Sequence, residues 1–266
     1  MVELVVAGAA GRMGGRIIAL ARDTLDLRIV GAFERPGHPA LGRDAAEVAG
    51  VGRLGVSIAA DPGPLLTPGR VLVEFTAPEP SLEHLRLAAA RGAGAVVGTT
   101  GLEPTQVEEV RRLAARIPVL LSPNMSVGVN LAFRVLALMA KALGDDYDVE
   151  ITEIHHRMKK DAPSGTAAKM AEVIAAALGR RIEETGIYGR HGLVGERTSK
   201  EIGVHALRGG DVVGEHTVVF SAVGERLELT HRAHSRDTFG QGALRAARFI
   251  ATAPPGLYSM HDVLGL

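Results

Sequence analysis

Two adjacent histidines, an arginine and two lysines fall within six consecutive positions, His155-His156-Arg157-Met158-Lys159-Lys160, directly before Asp161-Ala162-Pro163-Ser164-Gly165-Thr166. Cations crowded in this way repel one another, so the segment is either a solvated basic loop paired with Glu150, Glu153 and Asp161, or one half of an anion site. Gly165 and Thr166 open a helix that Asp161 or Ser164 would cap, and its first backbone N–H groups with the threonine hydroxyl would cradle a carboxylate. Hydride addition to a C=C or C=N bond builds negative charge that a proton or a fixed cation must neutralise. A lysine whose pKa is depressed by Lys160, Arg157 and a histidine is a suitable acid for that step. If a strand runs through His155 and His156, they point to opposite faces and at most one meets a ligand directly. A second cationic group, His231, Arg232, His234 and Arg236, would close the same pocket or remain at the surface.

A reductant site is the natural complement. Gly8, Gly11 and Gly14 follow a short apolar run and precede Ile17, Ile18, Leu20 and Ala21 at helical spacing, which reads as strand, glycine turn, helix. Such a turn brings backbone N–H groups and a positive helix end close to a pyrophosphate, to which Arg12 would add charge. Ala10 stands where the usual fingerprint has its middle glycine. The next apolar run ends in Glu34, 20 residues after Gly14, where a carboxylate accepts from ribose hydroxyls. Arg35 would face either a 2′-phosphate or solvent, so both NADH and NADPH remain open. The segments 75–78, 98–101 and 122–125 lie at the ends of further expected strands, on the rim where open α/β sheets bind ligands. The only two asparagines, Asn124 and Asn130, both fall within residues 122–130.

The elements needed to position these groups are legible along the chain. Strands over 2–7, 28–33, 71–75, 95–98 and 118–121, with helices over 81–91 and 105–116, give a Rossmann-type doubly wound parallel sheet, because the strands are continuously apolar. Beyond Asn130 the pattern changes: a helix over 131–143, an alternating strand over 147–154, an alanine-rich helix over 166–178, a loop over 181–200, and strands over 202–207, 212–222 and 226–233. Read with tight turns at 208–211 and 223–225, these make a second α+β domain with an open mixed, largely antiparallel sheet. A last helix over 239–251 returns to the first domain. The expected division is 1–126 completed by 236–266, and 127–235.

Composition narrows the functional classes. Of 266 residues 46% are hydrophobic, ample for a core, and 30 basic side chains balance 30 acidic ones, so no overall field gathers nucleic acid or an anionic membrane. The absence of cysteine excludes disulfides, thiolate metal sites and thioester chemistry. No metal centre is expected. The N-terminus carries no leader pattern, and no apolar run approaches the roughly 20 residues of a membrane span, so a cytoplasmic protein with a small-molecule partner is expected.

These motifs, nearly end to end, resemble those of the 4-hydroxy-tetrahydrodipicolinate (dihydrodipicolinate) reductase family: Gly8-Ala9-Ala10-Gly11-Arg12-Met13-Gly14, Gly98-Thr99-Thr100-Gly101, Ser122-Pro123-Asn124-Met125, the His155-His156-x-x-Lys159 run, residues 161–167 and residues 208–216. The resemblance implies reduction of a small dicarboxylate by NADPH, NADH or both, in lysine and diaminopimelate biosynthesis. It implies that His155 and Lys159 are the catalytic proton donors and that His156, Gly165 and Thr166 bind the substrate carboxylates. It further assigns the cofactor to Gly8, Ala9, Ala10, Gly11, Arg12, Met13, Glu34, Arg35, Gly98, Thr99, Thr100, Ser122, Pro123, Asn124 and Met125, and implies a homotetramer built through the second domain's sheet. Met158 and Lys160 fill variable positions, which leaves Lys160 as a competitor of Lys159, and Pro123 stiffens the nicotinamide segment. A related amino-acid dehydrogenase of aspartate type, or a cofactor-binding sensor without turnover, would use the same first domain.

Overall fold

A strand whose residues are apolar without alternation has to be buried on both faces. β1 (Val2–Ala7) meets that requirement by sending Leu4 and Val6 into one core and Val5 and Ala7 into another. The computed structural model describes all 266 residues. They form two compact units, Met1–Val127 with Asp237–Leu266, and Gly128–Arg236.

In the first unit β1 is followed by α1 (Arg12–Arg22), β2 (Leu27–Phe33), α2 (Ala45–Val48), β3 (Ile58–Ala59), β4 (Arg70–Glu74), α3 (Pro78–Arg91), β5 (Gly94–Val97), α4 (Pro104–Ala114) and β6 (Pro118–Leu121). After the second unit the chain adds α8 (Asp237–Ile250), β12 (Gly256–Tyr258) and α9 (Met260–Leu264). The sheet is parallel throughout, in the order β12-β6-β5-β4-β1-β2-β3. α1 and α8 cover one face, with Ile17, Ile18, Ala21, Leu244 and Ile250 in its core, while Leu82, Leu85 and Val110 of α3 and α4 fill the other. This is the expected Rossmann-type fold. The sequence reading lacked β3 and β12, which add two and three residues to opposite edges of the sheet.

The second unit comprises α5 (Val127–Leu143, whose first residue belongs to the other unit), β7 (Asp148–His155), α6 (Gly165–Ala177), α7 (Ile182–Thr185), β8 (Gly186–Tyr188), β9 (Ile202–Arg208), β10 (Gly214–Ala222) and β11 (Glu225–Ala233). Its mixed sheet runs β11-β10-β7-β9-β8. Val149, Ile151, Ile202, Val204, Val218 and Phe220 point into one core with Leu136 of α5 and Met170 and Ile174 of α6. Two details differ from the expectation. The loop over 181–200 contains α7 and β8, four and three residues long, too short for periodicity to reveal. More consequentially, β9 and β10 are not hairpin partners. β7 lies between them, antiparallel to β10 and parallel to β9, so residues 209–213 step over the end of β7. A short glycine-rich link satisfies a hairpin or a step-over equally well, and burial of the strand with Val149 and Ile151 selects the second.

One helix resembles a membrane span in length and composition only. Val127–Asp146 is long and apolar enough, at mean hydropathy 1.5, to cross a bilayer by length and composition. It is the core helix of the second unit, burying Val129, Ala132, Phe133, Leu136 and Ala140 while Leu131 and Leu138 are exposed.

Candidate active site

In the first unit the strand order reverses between β1 and β4, the place where parallel sheets open a crevice beyond their carboxyl ends. A cavity of about 570 Å³ lies there, lined by Gly8, Gly11, Arg12, Met13 and Gly14 after β1, by Glu34 and Arg35 after β2, and by Phe75, Thr76 and Ala77 after β4. The turn tolerates nothing larger than glycine at two positions. Gly8 has φ +59°, and a Cβ on Gly14 would stand 2.1 Å from the Gly8 carbonyl oxygen. α1 has neither a side-chain cap nor an acidic residue in its first turn, so its positive end is left for an anion. Next to the turn the Glu34 carboxylate accepts from the backbone N–H groups of Ala10 and Arg35, each at 3.1 Å, which fixes its orientation and leaves lone pairs for a hydroxyl ligand. Free helix donors, a turn too tight for side chains and a fixed acidic acceptor together fit a dinucleotide.

The remaining expected cofactor residues are placed less uniformly. Residues 98–100 and 122–125 leave β5 and β6, the neighbours of β4, and do not line this cavity. The Thr99 hydroxyl is buried and donates to Ser81 Oγ at 3.1 Å, and the Met125 side chain sits in the core, so each has only its backbone to offer. Asn124 is tied into its own loop, its carbonyl accepting from Ser122 Oγ at 2.8 Å and its Oδ1 from Ser126 N at 2.9 Å. Ala9 is fully buried. Sequence reasoning missed the Glu74–His84 pair: Glu74, fully buried, lies 2.6 Å from His84 Nδ1, and the His84 ring meets Phe33 edge-on in the cavity wall. The available signal was a glutamate closing an otherwise apolar strand.

In the second unit β7 continues its inward alternation past Val149 and Ile151 to Glu153 and His155, which replace hydrophobes by a carboxylate and an imidazole. Glu153 is fully buried and His155 is 9% exposed. The carboxylate is 2.6 Å from His155 Nδ1, accepts Ser164 N at 2.9 Å and takes both terminal nitrogens of Arg208, at 2.8 and 2.9 Å. Burial alone would raise its pKa, but Arg208, His155 and the Ser164 N–H outweigh it, and Glu153 is held below the ordinary glutamate value. For His155 burial wins over Glu153, with Lys159 and Arg208 acting in the same direction, so its pKa falls and the ring is neutral at pH 7. Gly214 makes the fit possible, since a Cβ there would stand 2.9 Å from His155 Nε2.

Ser164, not Asp161, caps α6: its Oγ accepts Ala167 N at 3.2 Å and lies 3.0 Å from Nε2 of the buried His216. Burial, then the neighbouring His155, hold His216 at about 4. The Lys159 ammonium stands 2.9 Å from the exposed Asp161 carboxylate, and Asp161 is held low by it. Of the two lysines, Lys159 is partly buried and Lys160 is exposed. His156 follows the end of β7, partly buried, and Gly165 and Thr166 begin α6. In the second cationic group, Arg232 is engaged with Glu215 at the surface, while His231 pairs in register with His216.

Residues 2–125 match the family described as "Dihydrodipicolinate reductase, N-terminus", and residues 128–264 match "Dihydrodipicolinate reductase, C-terminus". The chain belongs to the dihydrodipicolinate reductase family. Among its relatives are a 4-hydroxy-tetrahydrodipicolinate reductase from Citrifermentans bemidjiense, 54% identical over 266 residues and covering all of both chains, and one from Syntrophus aciditrophicus, 52% identical over 265 residues, 100% of this chain and 99% of the relative. In fold it resembles the solved "Dipicolinate bound Dihydrodipicolinate reductase" from Paenisporosarcina sp. TG-14, with a TM-score of 0.78, 22% identity and 98% of each chain covered. The first unit is thus the nucleotide-binding Rossmann domain of a reductase family, and the second holds Glu153 and His155 in one buried network.

Proposed function

We propose that the protein transfers a hydride from NAD(P)H to the dihydrodipicolinate derived from 4-hydroxy-tetrahydrodipicolinate, giving tetrahydrodipicolinate for lysine and diaminopimelate biosynthesis. The observation that carries this reading is the Glu153 network, which joins a neutral imidazole to the capped helix start that opens with Gly165 and Thr166, close to the Lys159 ammonium.

A reduced nicotinamide, when bound, supplies the hydride. The chain's own groups supply the rest. Lys159, held by an exposed carboxylate at rest, is released to an incoming dicarboxylate that replaces Asp161, and its ammonium donates the proton that neutralises the charge built on the substrate. Neutral His155 assists by accepting a hydrogen bond through Nε2. The N–H groups at the start of α6, with Thr166 and His156, hold the carboxylates, where the helix dipole favours anions. Residues 8–13, 98–100 and 122–125 with Glu34 and Arg35 hold the cofactor, residues 98–100 mainly through backbone. The same reading assigns cofactor binding to residues 1–126 with 236–266, and substrate binding and assembly to 127–235.

Assembly as a homotetramer in the cytoplasm completes the proposal. The sheet face opposite α5 and α6, carrying Ile154, Leu207, Thr217 and Val219, is the surface available for it. Initial rates with NADH and NADPH against enzymatically generated substrate test the activity, and failure to oxidise either cofactor would sink it.

A further inference from the structure

Glu153 holds no obvious place in proton delivery to a substrate, since it is fully buried and ionised, yet it accepts four hydrogen bonds, from His155, Ser164 and both terminal nitrogens of Arg208. We propose that Glu153 is a positioning residue for the reduction: it fixes His155 as the Nδ1–H tautomer and ties that histidine to Arg208 and to the start of the helix that opens with Gly165 and Thr166. The argument is one of hydrogen-bond inventory. An ionised carboxylate only accepts, so at 2.6 Å the proton between Glu153 and His155 belongs to Nδ1. In a neutral ring Nε2 is then an acceptor, and it has no protein partner. His155 can therefore receive a hydrogen bond from Lys159 or from the substrate, and it cannot itself be the resting proton source. The roles of the two residues separate: Lys159 is the acid and His155 the acceptor that orients it.

The same carboxylate sets the helix. Its Oε1 takes the Ser164 N–H at 2.9 Å, and Arg208, bound to both carboxylate oxygens, also donates to the Asp161 carbonyl at 2.6 Å. Movement of Glu153 would shift the imidazole and the carboxylate cradle together. The charged and titratable groups facing His155 are Glu153 on its own strand, Arg208 on β9, His216 on β10, ring centroids 5.1 Å apart, and Lys159 in the loop beyond. Asp161 reaches the group only through Lys159 and Arg208, and His231 only through His216. Glu153 is thus the one negative charge in direct contact with His155.

This inference deepens the reductase reading and rests on it. Nitrogen-15 NMR of histidines in the wild-type protein, with assignment of His155 by its loss in His155→Gln, reads the tautomer without turnover; the Nδ1–H form is expected, and the Nε2–H form overturns the proposal. In Glu153→Gln the amide retains the shape but not the charge. The expected result is a fall in kcat of about tenfold or more with KM for the dicarboxylate changed less than about threefold, and a His155 titration moved to lower pH. Glu153→Asp should restore the His155 titration toward the wild-type value. A purely structural role would instead lower kcat and raise KM together while leaving the titration in place, and that outcome, or an unchanged kcat, overturns the positioning role. If wild type itself turns over no dicarboxylate, the reductase reading fails while the tautomer assignment is still decided.

Discussion

Lys159 and Lys160 are adjacent, equally charged and equally able to donate a proton, and only their surroundings distinguish them. Lys159 is partly buried and paired with Asp161; Lys160 is exposed. Lys159→Ala should therefore lower kcat by about 10²-fold or more, the usual contribution of a positioned acid, while Lys160→Ala stays within about threefold; steady-state rates with either cofactor check both. A second residue-scale consequence concerns stability. His216 titrates near 4 when folded and near 6.5 when unfolded. Above pH 6.5 both forms are neutral and the group has no effect; between 6.5 and 4 the unfolded chain binds the proton first, so stability falls as pH falls. The loss amounts to about 3 kcal/mol by pH 4 and is constant below it. Urea unfolding at pH 7.5 and pH 4.5 should show a smaller difference for His216→Asn than for wild type. Equal differences would remove His216 as the cause. The sequence singled out His155, His156 and Lys159 because cations rarely cluster without purpose, whereas Arg208 and His216 entered only as the ends of the 208–216 motif, with no role given to either.

At the scale of elements, the glycine turn between β1 and α1 is the clearest case of sequence dictating shape. A Cβ at Gly14 would overlap the Gly8 carbonyl, so Gly14→Ala must open the turn. The expected cost is about 1–3 kcal/mol of stability, with cofactor affinity weakened about tenfold or more; calorimetric titration with NADH and NADPH measures the second. Strands β1, β2 and β4–β6 were legible to within about a residue because continuous apolar runs of four or more have one sensible environment. α7, β3, β8 and β12 were not, since two to four residues contain no period. The glutamate that ends β4 was passed over for a related reason: a charged residue at a strand end reads as a solvated terminus, and only packing against α3 reveals that Glu74 is buried beside His84.

For the whole molecule, the five-stranded sheet has one face filled by α5 and α6 and another carrying Glu150, Thr152, Ile154, His205, Leu207, Thr217 and Val219. Glu150 anchors the long link over 189–201 to this face through Arg190 and Arg197, with His205 at 2.7 Å. Burial works to raise its pKa, and these three partners reverse the effect and hold it at about 2, so the anchor persists until well below pH 4.5. Gly203 opposite it provides the room, since a Cβ there would stand 1.8 Å from a Glu150 oxygen. If this face carries the tetramer, Val219→Lys places a charge in the middle of it and should yield dimers or monomers by light scattering, with the fold intact by circular dichroism. A tetramer unaffected by that substitution would assign assembly elsewhere.

The amino-acid sequence by itself determined the parallel sheet, the glycine turn with its acidic sequel, the helix beginning at Gly165 and the membership of His155 and Lys159 in one short cationic run. These follow from interactions within a few residues, where periodicity, capping and backbone freedom decide. Tertiary structure alone decided that β7 lies between β9 and β10, and with it that Arg208, His216 and Ser164 meet Glu153 and His155 from positions up to 61 residues away. Long-range pairing is chosen by which apolar faces can be buried together, and a buried carboxylate then requires partners wherever the sheet brings them, which no local pattern records.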